Sequence, residues 1–187
     1  KLYIFPIVFI LFLSLWKGPA AAQQKTNYQL RRVVIDAGHG GHDIGAPGSV
    51  RHEKELVLDI ALKLGKYIKK HHPDVKVIYT RKTDTFIPLF KRAEIANKHQ
   101  ADLFISLHIN ANENKQAKGT ETYVMGMHKT QSNLEVAKKE NAAILYEEDY
   151  SRKYEGFDPN SAESYIIFSL MQNAYLEQSL KFASSVQ

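Results

Sequence analysis

The chain has 187 residues, 44% hydrophobic and 24% charged, a globular composition able to bury one core. With no cysteine, disulfides, thiolate metal ligands and a cysteine-linked lipid anchor are excluded, so any metal must be held by histidine and carboxylate. The formal charge of +5 falls to +3 once Lys1 and Lys17, the only charges in residues 1–22, are set aside. That mild balance suits an anionic polymer or an ordinary solvated surface, and no basic run with interleaved aromatics supports a nucleic-acid partner.

In chain order, Leu2 to Trp16 is an uncharged apolar run, shorter than the roughly 20 residues of a spanning helix, and Ala20-Ala21-Ala22 follows it. Residues 1–22 read as a signal peptide, with an uncleaved anchor as the alternative, so the domain is expected to be exported and to touch membrane only through this segment. The chain begins at Lys1 rather than Met, and at least one preceding residue is expected. A polar linker over 23–30 leads into a domain over 31–187.

Arg32-Val33-Val34-Ile35-Asp36 is a compact β-branched run, expected to be a buried parallel strand. Leu56, Val57, Ile60, Leu64, Tyr67 and Ile68 predict an amphipathic helix over 53–70, with Pro73 just beyond it. Strands follow over 75–80, 102–107 and 119–125, with a helix over 89–99 between the first two and later helices over 133–146 and 162–185. Alternating strands and helices imply right-handed crossovers and an α/β fold, a twisted, mainly parallel sheet with helices on both faces. No internal repeat or low-complexity tract occurs.

Three segments place metal-type ligands where such a sheet puts its active site, beyond the carboxyl ends of the strands. In Asp36-Ala37-Gly38-His39-Gly40-Gly41-His42-Asp43, His39 sits among glycines that allow a sharp turn. Glu53, at the helix start, shares the face of Leu56, Val57, Ile60 and Leu64. It therefore points inward and needs a partner, while Glu55 falls to the polar side and complements the helix dipole. His108 ends the strand Ser106-Leu107-His108 on the same edge as His39. Each alone is weak, but two histidines and a carboxylate around an open fourth position form the ligand set of a catalytic zinc site, Zn2+ being the cofactor expected. Metal-assisted hydrolysis is the chemistry indicated.

The run Val34-Ile35-Asp36-Ala37-Gly38-His39-Gly40-Gly41, then Gly45-Ala46-Pro47-Gly48, Glu53-Lys54, Thr80-Arg81, Asp84, Arg92, Ala96-Asn97, Ser106-Leu107-His108 and Gly119-Thr120-Glu121 resembles the N-acetylmuramoyl-L-alanine amidase family of the AmiA/AmiB/AmiC type. The resemblance implies zinc held by His39, Glu53 and His108, a six-stranded sheet, and release of stem peptides from the muramic acid of peptidoglycan by water attack, in periplasm or cell wall. Arg81, Asp84 and Arg92 match family positions, yet an Arg–Asp pair ordering a loop explains them without substrate.

The family's late strand, Val-Glu-x-Gly-Phe then Ser-Asn, does not occur up to Gln187, so the general-base Glu is expected beyond that residue and the domain is expected to be incomplete there. Some relatives carry an inserted helix that occludes the zinc until a protein activator binds, and residues 133–164 occupy that place. Glu147, Glu148 and Glu155 are candidates for the open zinc position there, but a solvated acidic stretch is the simpler account and they are kept outside the site. The competing functions are a zinc peptidase and a non-catalytic module that binds peptidoglycan or a partner on the same fold.

Overall fold

A computed structural model describes residues 29–112, 114, 116–124, 131–147, 149–154, 158, 161 and 176–187. The signal-peptide segment, most of the linker, Met125, residues 162–175, Glu148 and Glu155 lie outside the described residues.

Strand β1 (Arg32–Ala37) is buried at every position after Arg32, as a central strand covered on both faces must be. It pairs in parallel with β2 (Lys76–Tyr79) on one side and β3 (Leu103–Leu107) on the other, giving the order β2-β1-β3. In register, Val33 faces Val77 and Leu103, and Asp36 faces Ser106. The crossover from β1 to β2 and the one from β2 back past β1 to β3 run in opposite directions across the sheet, which puts their helices on opposite faces when both are right-handed.

Side-chain alternation in β1 agrees with that arrangement. Val33, Ile35 and Ala37 pack with Val57 and Ala61 of helix α1 (Glu53–His71), while Asp36, on the other face, meets Arg92 of α2 (Leu89–Lys98). Full burial of Val33, Ile35 and Val57 contributes about 1.5–3 kcal/mol each. The inward row of α1 is Glu53, Val57, Ala61 and Gly65, at i, i+4, i+8 and i+12. Ile60 and Tyr67, expected on that face, are exposed because the helix rests on the sheet along this narrower row. Gly65 belongs to it because the phenol of Tyr79 occupies the space a Cβ would need.

The helix expected over 133–146 is α3 (Gln131–Asn141) followed by a 3-10 turn, Ala142–Tyr146, which buries Ala143 and Ile144. The short α4 (Tyr150–Lys153) and α5 (Leu176–Val186) follow. No strand forms over the described residues 119–124, contrary to the expected fourth strand. Gly119 has φ +128°, outside the β region, and Thr120 and Thr122 are tied instead to the side-chain amide of Gln187, whose Nε2 donates to Thr120 O at 3.3 Å and to Thr122 Oγ1 at 3.0 Å. Among the described residues the sheet has three strands, and no helix is long and apolar enough to cross a membrane.

Candidate metal centre

The centre begins where β1 runs out. Asp36, its last polar residue, is buried and accepts from Thr80 Oγ1 at 2.6 Å, Ser106 Oγ at 2.7 Å and Arg92 Nη1 at 2.9 Å, so one carboxylate joins all three strand ends to α2. Beyond it the chain turns with His39 in the left-handed region, φ 59°, a conformation that costs a non-glycine residue about 1–3 kcal/mol. Two arginines hold it there. Arg92 Nη2 donates to His39 O at 3.0 Å, and Arg81 donates to Ala37 O at 2.9 Å and Gly38 O at 2.7 Å. Lys54 Nζ and the Gly41 N–H both donate to Asp84, at 2.6 and 2.7 Å. Arg81, Asp84 and Arg92 thus order the loop that carries His39.

That loop aims His39 Nε2 at the centre. Its Nδ1 lies 2.9 Å from Asp43 Oδ2, which assigns the Nδ1 proton to that bond and leaves Nε2 free to coordinate. Glu53, only 3% exposed, enters from the first turn of α1, with Oε2 accepting from the Ala46 N–H at 2.8 Å and Oε1 from the Ile109 N–H at 2.7 Å. Glu55, two residues on, accepts from the His52 N–H at 3.1 Å and stays out of the site, as expected for the polar side. The His108 ring fills space that exists because Gly38 has no Cβ, and a Cβ on Gly45 would strike both His39 and Glu53.

The three expected ligands come together. Glu53 Oε1 lies 3.2 Å from both His39 Nε2 and His108 Nδ1. A fourth group joins them: Glu140 Oε2, from the last turn of α3, lies 2.6 Å from His108 Nδ1 and 3.3 Å from His39 Nε2. Ligand-type atoms of all four residues lie within 4.8 Å of one another. Glu147 is not among them. It is buried at the start of α2, where its Oε1 accepts from the Leu89 N–H at 2.7 Å, because the chain has already left the centre after the 3-10 turn.

Glu140 was legible by the reasoning that singled out Glu53. Val136, Ala137, Ala143 and Ile144 flank it at i−4, i−3, i+3 and i+4, so it too is an inward carboxylate on an apolar stripe.

Charge at the centre is tightly coupled. Burial opposes a proton on His39, but Asp43, Glu140 and Glu53 outweigh it and raise its pKa to about 11. His108 is raised to about 9 against its burial by Glu140 and Glu53. Burial likewise opposes charge on the carboxylates, yet the two imidazoles hold Glu140 near 2 and Glu53 well below the usual carboxylate range. Protons on the histidines stand where a cation would. Both buried oxygens of Glu140 lack a hydrogen bond of good geometry. A half-buried carboxylate left in that state beside two imidazoles and a second carboxylate fits a divalent-metal site, and the nitrogen and oxygen donors suit zinc.

Fold and centre together define an α/β protein with two histidines and two glutamates gathered at the carboxyl edge of a parallel sheet. Residues 33–187 match the family model described as N-acetylmuramoyl-L-alanine amidase. The chain is 34% identical over 172 residues to the N-acetylmuramoyl-L-alanine amidase AmiA of Escherichia coli K12, covering 90% of this chain and 57% of that protein. To AmiC of E. coli O6:H1 it is 34% identical over 160 residues, covering 82% and 36%. The catalytic domain of CwlV, an N-acetylmuramoyl-L-alanine amidase from Paenibacillus polymyxa, overlays with a TM-score of 0.47 at 26% identity, covering 79% of this chain and 98% of that one. This chain belongs to the N-acetylmuramoyl-L-alanine amidase family. It spans just over half of AmiA and about a third of AmiC.

Proposed function

We propose that the chain carries the zinc centre of an exported peptidoglycan amidase, which hydrolyses the amide between N-acetylmuramic acid and L-alanine during cell-wall remodelling or daughter-cell separation. The convergence of His39 Nε2, His108 Nδ1 and Glu53 Oε1, each brought by a different element, carries this reading. Zinc bound there would polarise the scissile carbonyl and activate water for attack on it.

The chain's own residues do the positioning. Asp43 holds the His39 tautomer, the Ala46 and Ile109 amides fix the Glu53 carboxylate, and Arg81 and Arg92 keep the turn that aims His39. Glu140 takes the fourth position, the one a substrate carbonyl or water needs, so this conformation is closed and a partner that withdraws α3 would open it. In this reading the general base is a group other than these four ligands. Beside Glu53 lies a cavity of about 170 Å3 whose lining includes Ala46, Pro47, Leu56, Ile109, Asn110 and Arg51.

Zinc content by mass spectrometry and stem-peptide release from purified peptidoglycan, both read on the full-length protein, test the proposal, with His39→Ala, Glu53→Ala and Glu140→Ala beside the unaltered protein. Near-stoichiometric zinc lost in His39→Ala and Glu53→Ala, with peptides freed by the Glu140→Ala protein and by neither of those two, is the expected result. Zinc without peptide release even after Glu140→Ala would favour the wall-binding module, and absence of zinc would end the proposal.

A further inference from the structure

What keeps Glu140 at the centre is its charge pairing with the His108 and His39 imidazoles, at 2.6 and 3.3 Å. Neither of its oxygens makes a well-formed hydrogen bond, the Glu53 charge opposes its own, and among the described elements α3 touches chiefly the 3-10 turn that follows it. The chain just after that helix, by contrast, is fastened firmly. Tyr146 meets His42 edge-on at 5.8 Å, and His42 lies on Phe86 at 4.2 Å. Helix α2 starts at Pro88 without a side-chain cap, and its first amides are satisfied from far along the chain. The Leu89 N–H donates to Glu147 Oε1 at 2.7 Å and the Phe90 N–H to Tyr154 Oη at 2.8 Å. Tyr154 in turn donates to Glu147 at 3.0 Å, and Lys153 Nζ sits 5.1 Å from the centre of the Phe90 ring.

A buried carboxylate at a helix N-terminus, bonded to a backbone amide and a phenol, is a strong local attachment, because its charge is complemented by the helix dipole and its acceptors are filled. Glu147 follows Glu140 closely along the chain, on the far side of the 3-10 turn. We propose that Glu147 and Tyr154 form a clasp on the N-terminus of α2 which sets the fraction of molecules with Glu140 at the centre, so that opening the site requires release of this clasp. The inference rests on the metal-centre reading and adds the element that regulates it. A ligand that needs the open form binds with an affinity reduced by the open fraction, and loosening the clasp raises that fraction.

The test uses the full chain loaded with cobalt(II), whose visible spectrum reports coordination, titrated with acetohydroxamic acid, a small ligand for an open metal position. Glu147→Ala and Tyr154→Phe should each bind acetohydroxamate about tenfold more tightly than the unaltered chain, the size expected for losing a hydrogen bond to a buried charge. Glu140→Gln should bind it at least as tightly, and adding Glu147→Ala to Glu140→Gln should give no further gain, since the clasp acts only through Glu140. Tyr154→Phe keeps the ring and serves if Glu147→Ala does not fold. Unaltered acetohydroxamate affinity in both clasp variants, with a gain in Glu140→Gln, would discard the clasp and leave the metal centre standing. An equal gain from Glu147→Ala in the Glu140→Gln background would show general loosening and also discard it. A chain that takes up no cobalt would remove the metal centre and the clasp together.

Discussion

The sheet side of the centre and the α3 side hold their ligands differently. His39 is bonded through Nδ1 to Asp43 and through its carbonyl to Arg92, and Glu53 accepts a backbone amide on each oxygen. Glu140 approaches the same histidines with neither carboxylate oxygen otherwise engaged, from a helix whose firm attachment lies farther on, at Glu147 and Tyr154. Ligands supported from behind stay in place when a partner leaves, while one supported only by the ion it faces can exchange. A catalytic metal needs three of the first kind and one position of the second.

The sharpest break of that contrast is in metal content. Glu53→Ala should abolish zinc uptake, whereas Glu140→Ala should leave it near stoichiometric, both read by mass spectrometry of the dialysed protein. Equal loss in the two would make Glu140 a fixed ligand and the two sides alike.

Next in size is the support beneath His39. Arg92→Ala leaves Asp36 charged and buried without its cation, and breaking such a pair costs about 3–5 kcal/mol, or about 10 °C in melting temperature for a chain of this length. Thermal unfolding followed by circular dichroism measures it. A smaller effect is expected of Asp43→Asn, which removes the carboxylate that fixes the His39 tautomer and should weaken zinc binding about 10- to 100-fold in competition with a chelator.

The pH dependence is gentler still. Because the metal-free cluster holds protons on His39 up to about 11 and on His108 up to about 9, zinc must displace them. Affinity should therefore rise with pH below about 9, by up to about tenfold per unit for each proton displaced. The same raised values stabilise the metal-free fold fully below the ordinary histidine pKa of about 6.5, and that contribution fades as pH climbs through 9 and then 11. Melting curves of apo and zinc-loaded protein should accordingly diverge as pH rises from 6.5 to 9.

Much of the sheet side could be read in advance. β1, α1 and the inward Glu53 follow from a buried β-branched run and a helical stripe, both local patterns whose physical cause lies within a few residues. Ile60 and Tyr67 were misplaced because periodicity gives a face but not the width of the contact, which depends on how closely Gly65 lets the helix approach Tyr79. Over the described residues 119–124 the expected strand does not form, since Gly119 leaves the β region and Gln187 ties Thr120 and Thr122, a contact that no local pattern shows.

On the α3 side the pattern showed a helix with an acidic stretch after it, and attention fell on Glu147, Glu148 and Glu155. Which acid reaches the histidines depends on where the helix tightens into a 3-10 turn and where the chain after it docks, and neither is a property of the local residues.

The sequence by itself determined the alternation of strands and helices, the absence of thiolate ligands and the placing of the ligand-type residues His39, Glu53 and His108 at one sheet edge, because these rest on residue chemistry and on periods of two and 3.6. Only the tertiary structure decided that Asp43 backs His39, that Asp36 joins three strand ends to α2, and that Glu140 rather than Glu147 closes the centre. These are contacts between residues as far apart in the chain as His39 and Glu140, and their geometry exists only once the sheet has brought the strand ends to one edge.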